Sequence, residues 1–136
     1  MAAACSDAEL VGLALAARGN AYAPYSRYRV GAALLTTGGR VFTGCNVENG
    51  SYGLTVCAER VAVFAAVAGG ERGFAALAVA ADREGYCRPC GACLQVLSEF
   101  APSLRLLLAD VRGDFEVKTV AELLPGAFRF PRGEGE

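Results

Sequence analysis

Cys57-Ala-Glu-Arg-Val-Ala-Val-Phe-Ala-Ala-Val-Ala-Gly-Gly70, followed by Phe74-Ala-Ala-Leu-Ala-Val-Ala-Ala81, is the stretch whose reading decides the fold. Helix formers dominate from Cys57 to Ala68, and the Gly69-Gly70 pair supplies the stop that a helix C-terminus favours. Residues 74–81 carry no charge and no polar alternation, which is the pattern of a strand buried on both faces. A helix leading straight into a doubly buried strand calls for layers on both sides of a sheet, so the stretch reads as α/β.

Working outward toward the C-terminus, Asp82 to Pro89 reads as a loop and Cys90 to Phe100 as a helix with Pro89 at its start. Leu104 to Ala109 is a second buried strand, Asp110 begins a turn, and Phe115 to Lys118 is a short strand. Thr119-Val-Ala-Glu122 matches a capping box that opens a last helix, ended by Pro125-Gly126. Toward the N-terminus, Asn46 to Val56 is polar and irregular, the kind of segment where site residues sit. Before it come two strand-like runs, Arg29 to Thr36 and Arg40 to Cys45, joined by the hairpin signal Thr37-Gly38-Gly39. Tyr22 to Tyr28, with Pro24, is a loop. Ser6 to Asn20 places Leu10, Leu13, Ala14 and Ala17 at helical spacing behind Ser6 or Asp7 as N-cap. The order α-β-β-α-β-α-β-β-α predicts a three-layer α-β-α domain around a mixed five-stranded sheet. With no repeat and no linker, residues 1–136 are expected to form a single domain.

Composition narrows the function. Hydrophobic residues make up 54% of the chain, which excludes a disordered tail and favours self-association to cover apolar surface. Thirteen basic residues nearly cancel fourteen acidic ones, and Lys118 is the only lysine. No basic stripe is present to grip a phosphate backbone, so no nucleic-acid partner is expected. The N-terminus lacks the basic region of a signal peptide, and no apolar run approaches the ~20 residues that span a bilayer. No membrane association and a cytoplasmic location are therefore the expectations. Six cysteines in such a chain point to metal or catalysis before disulfides. The absence of histidine removes Ser-His-Asp and Cys-His schemes and every imidazole-ligated metal site.

Two cysteine groups stand out, Thr55-Val-Cys57-Ala-Glu59-Arg60 and Pro89-Cys90-Gly-Ala-Cys93. Cys90 and Cys93, at i and i+3, share a helix face and can reach one ion. Cys57, at the start of another helix, supplies a third thiolate if the two N-termini converge. Helix N-termini stabilise thiolates, and with Arg60 they offset the negative charge of a three-thiolate zinc site. Three protein ligands leave a fourth position for a water whose pKa the metal lowers. Glu59 is then the carboxylate placed to shuttle protons. Cys87 opens an alternative, a closed structural site of four cysteines, although Arg88-Pro89 sets it on extended chain and such a site leaves Glu59 without a task. Cys5 and Cys45 read as structural or incidental. Ligand type alone also leaves iron open beside zinc.

Cys57-Ala-Glu-Arg60 followed by Pro89-Cys-Gly-Ala-Cys93 resembles the short, homotetrameric, zinc-dependent cytidine deaminase family. The resemblance extends over Ala23-Pro-Tyr-Ser-Arg-Tyr-Arg-Val-Gly-Ala-Ala-Leu34, Gly44-Cys-Asn-Val-Glu-Asn49 and Leu123-Leu-Pro-Gly-Ala-Phe128. It implies hydrolytic deamination of cytidine and deoxycytidine to uridine and deoxyuridine, as in pyrimidine salvage. Zinc-activated water would attack C4 and Glu59 would carry the protons. It further implies one zinc per subunit on Cys57, Cys90 and Cys93, with Arg60 bonded to their sulfurs. Asn46 and Glu48 would bind the ribose hydroxyls, Tyr28 would pack against the pyrimidine or the sugar, and Ala58 would offer backbone groups to the pyrimidine edge. Phe128 would reach a neighbouring subunit's site, so the homotetramer would carry composite active sites. The sequence departs from the family at Leu94, where relatives commonly carry an arginine, and this places more of the charge compensation on Arg60. Related aminohydrolases share the cysteine motifs, but the Asn46–Glu48 pair favours a free nucleoside, and a strand-editing enzyme would need a positive track that is absent here.

Overall fold

The computed structural model describes residues 5–131. Residues 1–4 and 132–136, the two ends of the single domain expected from sequence, lie outside that range. Helix α1 (Asp7–Ala17) is opened by a full capping box: Ser6 Oγ accepts from the Glu9 amide while the Glu9 carboxylate accepts from the Ser6 amide. The remainder of the first expected helix, Arg18–Asn20, tightens into a single 3-10 turn. There Arg18 folds back to donate to the Ala81 carbonyl at 2.9 Å.

Strands β1 (Val30–Thr36) and β2 (Val41–Cys45) form the hairpin, and α2 (Ala58–Ala68) leads into β3 (Phe74–Ala81). Helix α3 (Gly91–Phe100), β4 (Arg105–Ala109), β5 (Phe115–Thr119) and the short α4 (Val120–Leu123) complete the order read from the sequence. The sheet runs β2-β1-β3-β4-β5, with β3 and β4 parallel and the other neighbours antiparallel. It is mixed, five-stranded and covered by helices on both faces, as the alternation of elements predicted.

The two-residue period of the strands sorts side chains between two cores. Ala32, Leu34, Leu77, Val79, Leu106 and Leu108 face α2, α3 and α4. Ala33, Ala76, Ala78, Ala80, Leu107 and Ala109 face α1. The α1 face is built mostly of alanine, which lets that helix lie close to the strands. Gly31 is the extreme case: a Cβ there would sit 2.0 Å from the Ala14 carbonyl oxygen. Gly44 plays the same part on the opposite face, where a Cβ would meet the Ala58 carbonyl and the Ala62 amide at 2.5 Å each. This close approach seats the first turns of α2 on β2 and so sets the height of Cys57 and Glu59 above the sheet. Among the described residues no helix is long and apolar enough to cross a membrane.

Candidate metal centre and active-site cavity

Cys57 and Cys90 occupy the N-cap positions of α2 and α3, in extended backbone conformation. At the N-caps of α1 and α4, Ser6 and Thr119 turn their hydroxyls onto their own helices. The two cysteine sulfurs do not, and instead point toward each other across the helix ends. Cys57 Sγ lies 3.9 Å from Cys90 Sγ, and Cys90 Sγ lies 3.6 Å from Cys93 Sγ one turn into α3. All three sulfurs fall within 4.8 Å of one another, the only such cluster of three or more potential ligands among the described residues.

A tetrahedral zinc with Zn–S bonds of about 2.3 Å sets its sulfurs about 3.8 Å apart, close to the Cys57–Cys90 and Cys90–Cys93 separations, so the donor set suits that ion. With three ligands and no fourth, the cluster suits an open site. Cys87 is not part of it, and the closed four-cysteine alternative is not what the structure contains. All six cysteines are free thiols.

Charge at the cluster is managed locally. Hydrogen bonding from Cys93, and then from Arg60 and Cys90, holds the Cys57 thiol down at about 5 against the opposing effect of burial. The same bond, with Cys57 as the negative partner, drives Cys93 upward. Arg60 Nη2 donates to Cys57 Sγ at 3.4 Å, and the thiolate raises the arginine's own pKa. Arg60 Nε is buried beside them without a partner. Leu94 is buried in the core shared by α2 and α3 and adds no charge.

Glu59, on the first turn of α2, is 4% exposed. Its carboxyl is pushed up to about 7, chiefly by burial and further by the Cys57 thiolate, with Arg60 pulling the other way. It opens onto a cavity of about 230 Å³ that also exposes Cys57, Cys90 and Ala58. Tyr28, Asn46 and Glu48 line it as well.

The Asn46 amide spans two backbone groups, accepting from Val30 N at 2.9 Å and donating to Tyr28 O at 2.8 Å. Glu48 accepts from the Tyr25 and Ser26 amides and from the Ser26 hydroxyl, which hold its carboxyl below the usual range. Phe128 is not in this cavity. It stands 68% exposed beyond α4, with its carbonyl held by Gln95 Nε2 at 2.9 Å.

Sequence reasoning did not single out Ser26, Thr55 and Arg88, which also line the cavity. Ser26 and Thr55 sit in polar loop segments, a weak but available signal. Arg88 carried none beyond its place before Pro89-Cys90, and it is oriented by an ion pair with Glu116 at 2.7 Å.

Residues 5–106 match the family model for the cytidine and deoxycytidylate deaminase zinc-binding region, a span that holds the three clustered cysteines and Glu59. The chain is 56% identical over 113 residues to a cytidine deaminase of Sporosarcina psychrophila, covering 82% of this chain and 83% of that protein. It is 52% identical over 120 residues to one from Halalkalibacterium halodurans, covering 88% and 91%. It also superposes on the crystal structure of a cytidine deaminase from Burkholderia pseudomallei with a TM-score of 0.85 at 53% identity, covering 88% of this chain and 96% of that one.

Proposed function

The chain belongs to the cytidine and deoxycytidylate deaminase family, and on that premise we propose that Cys57, Cys90 and Cys93 hold its zinc, that Glu59 moves the protons, and that the adjoining cavity takes a pyrimidine nucleoside. The reaction is the hydrolytic deamination of cytidine, and the cofactor is one zinc. The observation that carries the site assignment is a three-sulfur cluster of which Cys57 and Cys90, together with the buried Glu59 carboxyl, line a single cavity of about 230 Å³.

Zinc, when bound, supplies the Lewis acidity that makes water a competent nucleophile at neutral pH. Glu59 does the proton work: with its carboxyl near 7 it can accept a proton from the attacking water and return it. The return goes first to N3 of the cytosine ring and then to the departing amino group. Burial of Glu59 keeps bulk water from competing for that proton. Arg60 offsets the negative sulfurs, and the free amides at the starts of α2 and α3 add to it.

Glu48, held ionised by its three loop donors, keeps lone pairs for a ribose hydroxyl, and Asn46 keeps one amide hydrogen beyond its two backbone bonds. Tyr28 and Ala58 flank the base. Deoxycytidine is accepted alongside cytidine, which suits a role in pyrimidine salvage. Phe128 and Phe130, 68% and 73% exposed, leave two phenyl rings in solvent, and Tyr22, Tyr25, Tyr52 and Leu54 are exposed as well. Those surfaces suit a homotetramer in which Phe128 completes a neighbour's site, within a single-domain protein of the cytoplasm. Glu59→Gln tests the assignment: the variant is expected to keep one zinc per chain by elemental analysis and to lose at least about a thousandfold in kcat on cytidine. Retained turnover would remove Glu59 from the reaction.

A further inference from the structure

Tyr28 is held at more points than its place in a loop requires. Its amide donates to Ser26 Oγ at 3.0 Å and its carbonyl accepts from Asn46 Nδ2 at 2.8 Å. Its side chain meets the connection between β3 and α3, where the Cys87 thiol is a near neighbour of its hydroxyl. The Arg83 guanidinium lies over the ring face, with Cζ 4.6 Å from the centroid. Arg83 is exposed, and among the described residues it has no carboxylate partner. Tyr28 lines the cavity beside Glu59, whereas Arg83 does not. The guanidinium therefore covers the ring from outside the cavity.

From this geometry we propose that Arg83 is a positioning residue for substrate binding, clamping the Tyr28 ring so that its remaining surface forms a fixed wall of the nucleoside cavity. The inference rests on the cavity being the nucleoside site. The cation is attracted to the ring's electron-rich face and holds the ring against outward movement when the cavity is empty. The order is therefore present before the nucleoside arrives, and binding loses less entropy in fixing it. Because the ring touches ground state and transition state alike, the clamp acts on KM and leaves kcat alone. The segment 82–90 also delivers the ligand Cys90, so one connection positions both the base wall and a sulfur.

The test is steady-state deamination of cytidine by zinc-loaded wild type, Arg83→Ala, Arg83→Lys, Tyr28→Leu and the Arg83→Ala/Tyr28→Leu double variant. Calorimetric binding of uridine is measured alongside. Arg83→Ala is expected to raise KM and the uridine Kd together by about two- to five-fold, the size of an exposed cation–π contact, with kcat within about two-fold of wild type. Arg83→Lys restores a cation over the ring and returns KM toward wild type. In the Tyr28→Leu background, Arg83→Ala changes nothing further. An unchanged KM in Arg83→Ala overturns the proposal, as does an undiminished effect in the Tyr28→Leu background. Arg83→Gln serves if the alanine variant loses thermal stability. A wild type inactive on cytidine refutes the nucleoside reading itself, whereas an active wild type indifferent to Arg83 refutes the clamp alone.

Discussion

Gly44 makes the position of the catalytic helix testable by a single methyl group. In Gly44→Ala the new Cβ would stand 2.5 Å from the Ala58 carbonyl oxygen, 2.5 Å from the Ala62 amide nitrogen and 3.1 Å from the Ala62 Cα. All three are backbone atoms, so no rotamer change relieves the clash. Ordinary contact begins at 3.4 Å, and α2 must therefore retreat by about 0.9 Å at its N-terminal end. That end carries Cys57, Glu59 and Arg60, while Cys90 and Cys93 ride on α3 and stay behind. A metal site tolerates distance errors of roughly 0.2 Å, and a misplacement of about 1 Å at a reacting centre costs on the order of a hundredfold in rate. Overpacking itself costs about 1–3 kcal/mol, which in a domain of this size lowers Tm by roughly 3–12 °C. Gly31→Ala is the control. Its Cβ would meet Ala14 O at 2.0 Å and Arg18 N at 2.4 Å, an equal or worse clash, but with α1 on the far face of the sheet. Thermal melts, zinc per chain and kcat/KM on cytidine are compared for both. Gly31→Ala should lose stability while its zinc-loaded fraction keeps near-normal kcat/KM; Gly44→Ala should lose stability, zinc and rate together. Wild-type zinc content and kcat/KM in Gly44→Ala, or an equal loss of kcat/KM in both variants, would refute the reasoning.

Cys87→Ser should keep one zinc per chain by elemental analysis, because Cys87 lies outside the sulfur cluster and its thiol is held up near 12 by burial and the neighbouring Glu59. Loss of the metal would return the closed four-cysteine site to contention. Arg60→Ala removes the guanidinium bonded to Cys57 and should lower zinc affinity or kcat/KM by roughly 10- to 100-fold while Tm moves little, read by chelator competition and cytidine turnover. Asp7→Asn breaks a two-point ion pair with Arg105, both partners being more than a third exposed, so its cost at pH 7 stays within about 1 kcal/mol. Arg105 holds the Asp7 carboxyl below its usual value, so the pair's stabilisation is complete above the unfolded pKa of about 4 and lost as pH falls through the folded one. The Tm gap between wild type and Asp7→Asn should therefore be full above about pH 4 and narrow progressively as pH falls below it.

The order and type of the strands and helices were legible in the sequence, because doubly buried strands and capped helices carry local signals. Two boxes, Ser6 with Glu9 and Thr119 with Glu122, mark helix starts within four residues. The cysteine cluster was legible for a related reason: an i, i+3 pair on one helix narrows the third ligand to a cysteine at another helix start. What stayed hidden depends on contacts between residues far apart in the chain. Nothing local to Gly31 or Gly44 says that a helix backbone will pass within reach of its Cα. Asn46 read as a ligand-facing residue, and only the fold shows its amide stitching Val30 to Tyr28. Arg83, 55 positions from Tyr28, looked like an ordinary loop arginine until β3 brought the two together.

A zinc site without histidine concentrates negative charge on its ligands. Three thiolates around a divalent ion leave one negative charge, and an ionised Glu59 adds a second. Against these stand Arg60, worth one positive charge, and two helix N-termini worth about half a charge each. The two sides nearly balance when Glu59 is ionised, the state that accepts a proton in the proposed role. They tip positive when it is protonated, the state that in the same proposal gives the proton up. Leu94, buried and apolar on α3, adds nothing to either side. Among the described residues Arg60 is the one side-chain cation hydrogen-bonded to the sulfurs, so its removal leaves the helix N-termini as the main local compensation. The burial that raises Glu59 and the charge balance that limits the rise come from the same turn of α2. On the proposed assignment, the seating of that turn by Gly44 bears on proton transfer as well as metal binding.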